Sequence, residues 1–247
     1  MMDKLHLDQH ISRQFNEELE DIRNRVLTMG GLVEEQIGNA ARALVERDSE
    51  LGKAVVEADD QVNFLERSID EECQRILARR QPAATDLRLI ISVIKTITDL
   101  ERMGDESQKI ARMAVKLAEG DSKDTQGVAE IENLAGHVAR MLHDALDAFA
   151  RLDPEAALKV VHEDARVDRE YEGIMRQCIT YMMEDPRTVR RVLDTVWSAR
   201  ALERIGDHAR NIGEYVIYLV GGEDVRHVPI DQIEEAATKA GARRKQD

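Results

Sequence analysis

The sequence predicts an all-α protein built as two tandem three-helix bundles related by an internal repeat. Three observations carry that reading. Apolar residues recur at intervals of three and four over long stretches, the mark of amphipathic helices. The composition is 43% apolar and 34% charged, with 3% aromatics and four prolines, which suits long helices and gives a sheet little to work with. The chain also repeats itself: Leu100-Glu101-Arg102-Met103-Gly104-Asp105 returns 102 positions later as Leu202-Glu203-Arg204-Ile205-Gly206-Asp207.

The first ten residues are polar and read as loose. From about Ile11 to Arg47 a stripe of Phe15, Leu19, Ile22, Val26, Val33, Ile37 and Leu44 defines the first helix, with a bend expected at Gly30-Gly31. Asp48-Ser49 is a start signal for the second, which Arg79-Arg80-Gln81-Pro82 ends with basic groups and then a proline. Thr85-Asp86 can cap the third, whose stripe runs from Leu87 to Leu117. Glu119 to Gly127 reads as the linker between halves. A fourth helix is predicted over Val128 to Leu152. Asp153-Pro154 opens a fifth that runs to about Met183. Glu184-Asp185-Pro186 breaks the chain, and a sixth helix runs from Thr188 to Val220, stopped by Gly221-Gly222. The remainder, including Ala242-Arg243-Arg244-Lys245, reads as a frayed tail. The domains are therefore 1–120 and 121–222, followed by a flexible tail over 223–247.

Overlaying the halves strengthens this division. At an offset of 105, Asp48 meets Asp153, Asp59 meets Asp164, Val62 meets Val167 and Cys73 meets Cys178. After the Gln81-Pro82 turn the offset becomes 102, and Arg88 meets Arg190 while Ile110 meets Ile212. The three-residue difference falls in a turn, where a length change is cheapest. Helices of about 30 residues rise about 45 Å, and three joined by short turns make an up-down-up bundle.

Charge and length exclude several function classes. The net charge of −14 argues against a nucleic-acid binder, because phosphate neutralisation needs a basic surface. It also disfavours adsorption to anionic lipid. The start, Met1-Met2-Asp3-Lys4-Leu5-His6, lacks the apolar core of a signal peptide, and the longest apolar candidate, 215–220, is too short to span a bilayer. A cytoplasmic location is expected. Two cysteines give no disulfide framework, and both fall on apolar stripes, as buried small hydrophobes do.

The repeated acids carry the strongest hint of a function. Glu101 and Asp105 lie at i and i+4, about 6 Å apart at Cβ on one helix face, as do Glu203 and Asp207. Like charges at this spacing repel, and a mid-helix glycine costs about 1 kcal/mol relative to alanine, so neither choice helps the helix. The preceding helix offers a second pair: Asp164 and Asp168 in repeat two, Asp59 and Asn63 in repeat one. Where the faces meet, oxygen ligands converge, which suits hard cations such as Mg²⁺, Ca²⁺, Mn²⁺ or ferric iron. Without a cation, crowded carboxylates have raised pKa values or stay solvated. An acidic, water-facing surface and a helix-packing or partner contact are the plainer alternatives. Arg102 and Arg204 read as pairing with neighbouring acids or facing a ligand, Arg88 and Arg190 as surface salt bridges or phosphate contacts.

Other constellations fail. No histidine follows a glutamate at the Glu-x-x-His spacing of ferritin-like di-metal sites, and no Walker-type loop is present. His208 reads as surface, because repeat one has Glu106 there, and Trp197, opposite Lys95, reads as a core or interface residue.

These motifs resemble the PhoU family of bacterial phosphate-transport accessory proteins. The resemblance rests on the two Leu-Glu-Arg-x-Gly-Asp copies, on the stretches 69–73, 78–88, 181–185 and 214–219, and on similarity from about Ile11 to His227. It implies metal ions, divalent or ferric (Mg, Mn, Zn or Fe), held by Glu/Asp-x-x-x-Asp pairs. Carried over by position, these are Asp59, Glu101 and Asp105 in repeat one and Asp164, Asp168, Glu203 and Asp207 in repeat two. Asn63 departs from the acidic pattern, so the first site is expected to be the weaker. The resemblance further implies a homodimeric negative regulator without catalysis. It would couple a membrane phosphate ABC transporter, through its ATPase subunit, to a sensor histidine kinase and meet the membrane only through partners. A carboxylate-metal hydrolase and a metal-buffering helical protein are the rival readings.

Overall fold

The computed structural model describes residues 3–119 and 128–244, with side chains described from 13 and from 130 within those spans. Among them every regular element is a helix. The order is α1 (Asp3–Glu46), α2 (Ser49–Arg80), α3 (Ala84–Ala118), α4 (Val128–Arg151), α5 (Pro154–Glu184), a 3₁₀ turn (Pro186–Thr188), α6 (Val189–Gly221) and α7 (Ile230–Arg244). The predicted linker lies, apart from Glu119, outside the described residues.

The α1–α2 and α4–α5 turns are built alike. Asp48 Oδ1 accepts from the backbone N–H groups of Glu50 and Leu51, both at 3.0 Å, and Asp153 Oδ1 accepts from those of Glu155 and Ala156 at the same distance. Just before each cap, Arg47 and Leu152 take the left-handed conformation, with φ of 56° and 51°. Gly222, at φ 79°, ends α6 as predicted, and its N–H donates to the Tyr218 carbonyl at 2.7 Å. The start of α3 departs from prediction. Its N-cap is Ala83, which makes no side-chain cap, so Thr85-Asp86 already lies inside the helix. At the N-terminus, α1 begins at Asp3 where loose chain was expected, and it runs through Gly30-Gly31 without interruption.

Within each repeat the three helices pack on one another, and the repeats meet along α3 against α6 and α1 against α4. One continuous core results, including Ile22, Met29, Ile37, Leu100, Ile110, Phe149, Leu202 and Ile212. Cys73 and Cys178 are buried in it, and burial pushes the Cys73 thiol up to about 12.

Two expectations are corrected, and a third, Trp197 as a core or interface residue, loses its core half. The predicted tail contains α7, which buries Ile233, Ala236, Ala237 and Ala240 against α5 and α6. Arg243 donates to the Gly221 carbonyl at 2.6 Å and Arg244 pairs with Asp153 at 3.0 Å, so this basic run is anchored as far as it is described. His208 is buried, because Asp99 of the other repeat holds its Nδ1 at 2.7 Å. Trp197 is 59% exposed and joins Val189 and Leu193 in an apolar stripe at four-residue spacing on α6, outside the core.

The α3–α6 seam is keyed by charge. Besides Asp99–His208, Asn211 Nδ2 donates to Asp99 at 3.2 Å, and Arg204 pairs with buried Glu106 at 2.7 Å. Arg204 thus belongs to the seam. Among the described residues Arg88 makes no salt bridge, donating instead to the Leu219 carbonyl and to Thr85 Oγ1, both at 3.3 Å.

Candidate functional site

Each repeat brings the predicted acids of two helices to one seam, α2 with α3 and α5 with α6. In repeat one, Asp59 is buried and Glu101 and Asp105 are partly so. Burial and then the neighbouring Asp105 push the Asp59 carboxyl above its ordinary range. Burial, with Asp105, Glu66 and Asp59 beside it, does the same to Glu101. Glu66 stands one further helical turn along α2 and is itself raised, by burial and by Asp70. It is a fourth acid that the sequence reading missed. Asp59 Oδ2 accepts from Asn63 Nδ2 at 3.1 Å and from Gln108 Nε2 at 3.3 Å, while its Oδ1 is buried with no hydrogen-bond partner.

Gly104 explains how this atom comes so deep. A Cβ added there would stand 2.8 Å from Asp59 Oδ1 and 3.2 Å from Gln36 Oε1 of α1. The two oxygens share the space that the glycine leaves open, and the Gln36 amide is likewise buried with neither polar atom partnered. Repeat one therefore draws donors from three helices.

In repeat two, Asp164 and Glu203 are buried while Asp168 and Asp207 reach water. Burial raises the Asp164 carboxyl against the opposing pull of Arg210. Burial and Asp207 raise Glu203. Dehydration at the helix seam, with Asp164 and Asp168 beside it, raises Asp207 although its side chain touches solvent. Two arginines answer these acids. Arg210 Nη1 donates to Asp164 Oδ2 at 2.9 Å, and Arg200 bonds Glu203 while its guanidinium lies 5.7 Å from the Tyr171 ring. Asp164 Oδ1 and Glu203 Oε2 remain buried without partners. A Cβ at Gly206 would meet Val167 first, at 3.0 Å.

In the overlay Arg210 occupies the position of Gln108, Arg200 that of Thr98, Tyr171 that of Glu66 and Met141 that of Gln36. That comparison was the signal available in the sequence for these partners. In repeat one no basic side chain bonds an acid of the cluster among the described residues; exposed Arg112 acts on Asp59 only at a distance. As the side chains stand, no three His, Cys, Asp or Glu of the described residues are arranged to hold a metal ion. The donor chemistry nonetheless fits a hard cation: all-oxygen groups, several orphaned and buried, on helices whose backbones are already adjacent. A separate groove of about 780 Å³ lies between α4 and α5, where buried His137 meets Glu163 at 2.8 Å and Glu170 at 3.0 Å.

Fold and site together define a class: a duplicated three-helix-bundle protein with one carboxylate cluster per repeat. The PhoU domain model matches residues 26–114 and 131–216, one match in each repeat. The chain is 55% identical over 235 residues to the phosphate-specific transport system accessory protein PhoU homolog of Pseudomonas aeruginosa, covering 95% of this chain and 97% of that protein. It is 50% identical over 234 residues to the protein of that name, PhoU, in Escherichia coli K12, covering 95% and 96%. The crystal structure of PhoU from Pseudomonas aeruginosa superposes with a TM-score of 0.81 at 57% identity, covering 85% of this chain and all of that one. The phosphate transport system regulatory protein PhoU from Streptococcus pneumoniae gives 0.78 at 29% identity, covering 85% and 99%. The chain belongs to the PhoU family. No helix among the described residues is long and apolar enough to cross a membrane.

Proposed function

We propose that this chain is a negative regulator of phosphate uptake and of the phosphate-starvation response. It acts as a cytoplasmic adaptor between the ATPase subunit of a phosphate ABC transporter and a sensor histidine kinase, without catalysis of its own, and it meets the membrane only through these partners. The observation that carries this reading is identity of 50% and more, over nearly the whole chain, to accessory proteins of the phosphate-specific transport system. Long helices keyed together at a charged seam supply the rigid surfaces an adaptor needs. The exposed stripe of Val189, Leu193 and Trp197 supports a homodimer, since such surface is stabilised by burial. A strain lacking the protein should express phosphate-starvation genes in high phosphate; unchanged repression would sink the proposal.

Metal ions, held by the Glu/Asp-x-x-x-Asp pairs, form the second part of the proposal. The residues are Asp59, Glu101 and Asp105, and Asp164, Asp168, Glu203 and Asp207. A bound cation would supply positive charge that lets repelling carboxylates of two helices converge. Asp59 and Asp164 would hold the buried side of each site, and the acids at its rim would fix the helix seam that partners read.

A further inference from the structure

We infer that the groove between α4 and α5 binds a nucleoside phosphate with an amino-bearing base. Arg140 and Lys159 hold the phosphate, and Glu130, Asn133 and Gln177 accept from the amino group. The site goes beyond the adaptor and metal readings and depends on neither, since none of the seven acids lines this groove.

The internal repeat supplies a reference for this groove. The same place in repeat one, between α1 and α2, is a groove of about 320 Å³, against about 780 Å³ in repeat two. At the offset of 105, Leu32, Glu35, Ala54 and Gln61 of the small groove stand where His137, Arg140, Lys159 and Arg166 stand in the large one. One copy thus gathers four basic side chains where the other has none, in a chain of net charge −14. The acids beside them are partly engaged. Glu163 Oε1 lies 2.8 Å from His137 Nε2 and accepts from Arg166 Nη1 at 2.5 Å, and Glu170 lies 3.0 Å from His137 Nδ1. Arg140 of α4 and Lys159 of α5 line the groove from opposite walls, exposed and without a partner among the described residues. Asp144 is the one unpaired acid at this end, so a positive surplus remains. An anion that reaches both walls gains charge-assisted bonds from each. The other end has the opposite character. Glu130, ten residues before Arg140 on α4, stands about 15 Å away along the helix. Asn133 lies beside it, and Gln177, whose Nε2 donates to Tyr181 Oη at 2.5 Å, keeps its carbonyl oxygen to accept. Met141, Val160 and Ile174 add apolar surface along the groove, and at Gly173 nothing stands within 4 Å of where a Cβ would be. Cations, an apolar strip, then a carboxylate with amides match the phosphate, the rings and the exocyclic amine of a nucleotide, in a volume within the range of small-molecule sites.

Isothermal titration calorimetry of the full chain with AMP tests the site. EDTA is kept present so that no metal-bound phosphate at the acid clusters contributes. A single AMP should bind per chain. Inosine monophosphate, with a carbonyl in place of the amino group, should bind about tenfold more weakly, and inorganic phosphate about a hundredfold. Arg140→Glu combined with Lys159→Ala restores the residues of repeat one at two exposed positions. It should weaken AMP binding about a hundredfold while helicity by circular dichroism is kept. Arg190→Ala, at an exposed arginine of α6, should leave affinity within about twofold. Retained binding in the double variant, an equal loss in Arg190→Ala, or a wild-type chain that binds no AMP overturns the site. Inosine monophosphate or inorganic phosphate binding as tightly as AMP overturns the nucleotide assignment. The adaptor and metal readings stand or fall by their own experiments.

Discussion

Repeat one crosses α2 over α3 with a glycine on α2; repeat two makes the same crossing of α5 over α6 with the glycine on α6. A Cβ at Gly52 would stand 2.9 Å from Val115 Cγ2 and 3.0 Å from the Ala111 carbonyl oxygen. A Cβ at Gly213 would stand 3.0 Å from the Ala157 carbonyl oxygen. In the overlay Gly52 matches Ala157, and Ala111 matches Gly213. The close approach is thus a property of the pair: one partner must be glycine, and either helix can provide it. Gly104 and Gly206 keep the same place in both repeats, yet one opens onto acceptor oxygens and the other onto Val167. A packing demand can move between helices. An acid motif stays in position while its neighbours change its meaning.

The largest expected effect breaks the packing half of this comparison. Gly52→Ala forces a methyl against backbone and should lower stability by about 1–3 kcal/mol in denaturant unfolding. Adding Ala111→Gly recreates the arrangement of repeat two and should restore most of that loss. If the double variant is no more stable than the single one, the interchange is wrong.

Next in size is one substitution made in both clusters with opposite results. Asp164→Asn strips Arg210 of a charge-assisted partner, although Glu214 still holds its Nε at 3.1 Å. Stability should fall by about 1 kcal/mol. Asp59→Asn loses no basic partner, removes repulsion with Asp105 and places an N–H near Gln36 Oε1, so stability without metal should rise by about 0.5 kcal/mol. Losses of equal size in calorimetric melting would erase the distinction between the clusters.

The smallest effect is on pH. Asp59, Glu66, Glu101, Asp164, Glu203 and Asp207 all titrate above their ordinary values in the folded chain. A carboxyl raised in this way binds its proton more tightly folded than unfolded. These groups therefore favour folding increasingly as pH falls through the window between their ordinary and raised values, and lose that contribution as pH rises through it. Chemical unfolding across that window in the absence of metal should show this slope, and Asp59→Asn should reduce it. A slope that Asp59→Asn leaves unchanged would remove Asp59 from the account.

Helices α1 to α6 were legible because their apolar stripes are long and Asp48, Asp153, the prolines and Gly222 mark their ends. Helix α7 was not, because its buried face is Ile233, three alanines and Gly241, a weak stripe that depends on the small surface around Gly221. The seven acids read from spacing do meet in pairs of helices, since the i,i+4 spacing keeps each pair on one helix face and the packing turns those faces toward each other. The sequence comparison weighed one substitution, Asn63, without its surroundings. Gln36 comes from a helix with no acid motif, and Glu66, Gln108, Arg200 and Arg210 sit one turn beyond the motifs that were compared. His208 was misjudged for a related reason: its partner Asp99 belongs to the other repeat, where Ala201 occupies the matching place and the overlay shows nothing.

The α3–α6 seam has a mechanical consequence. Sliding one helix past the other by a turn, about 5.4 Å, would part Asp99 from His208 and Glu106 from Arg204. Each buried carboxylate so stranded costs about 1–3 kcal/mol or more. The joint therefore resists shear, which favours the two halves moving together as one lever. A displacement applied at the far end of one bundle arrives at the far end of the other without being absorbed in the middle.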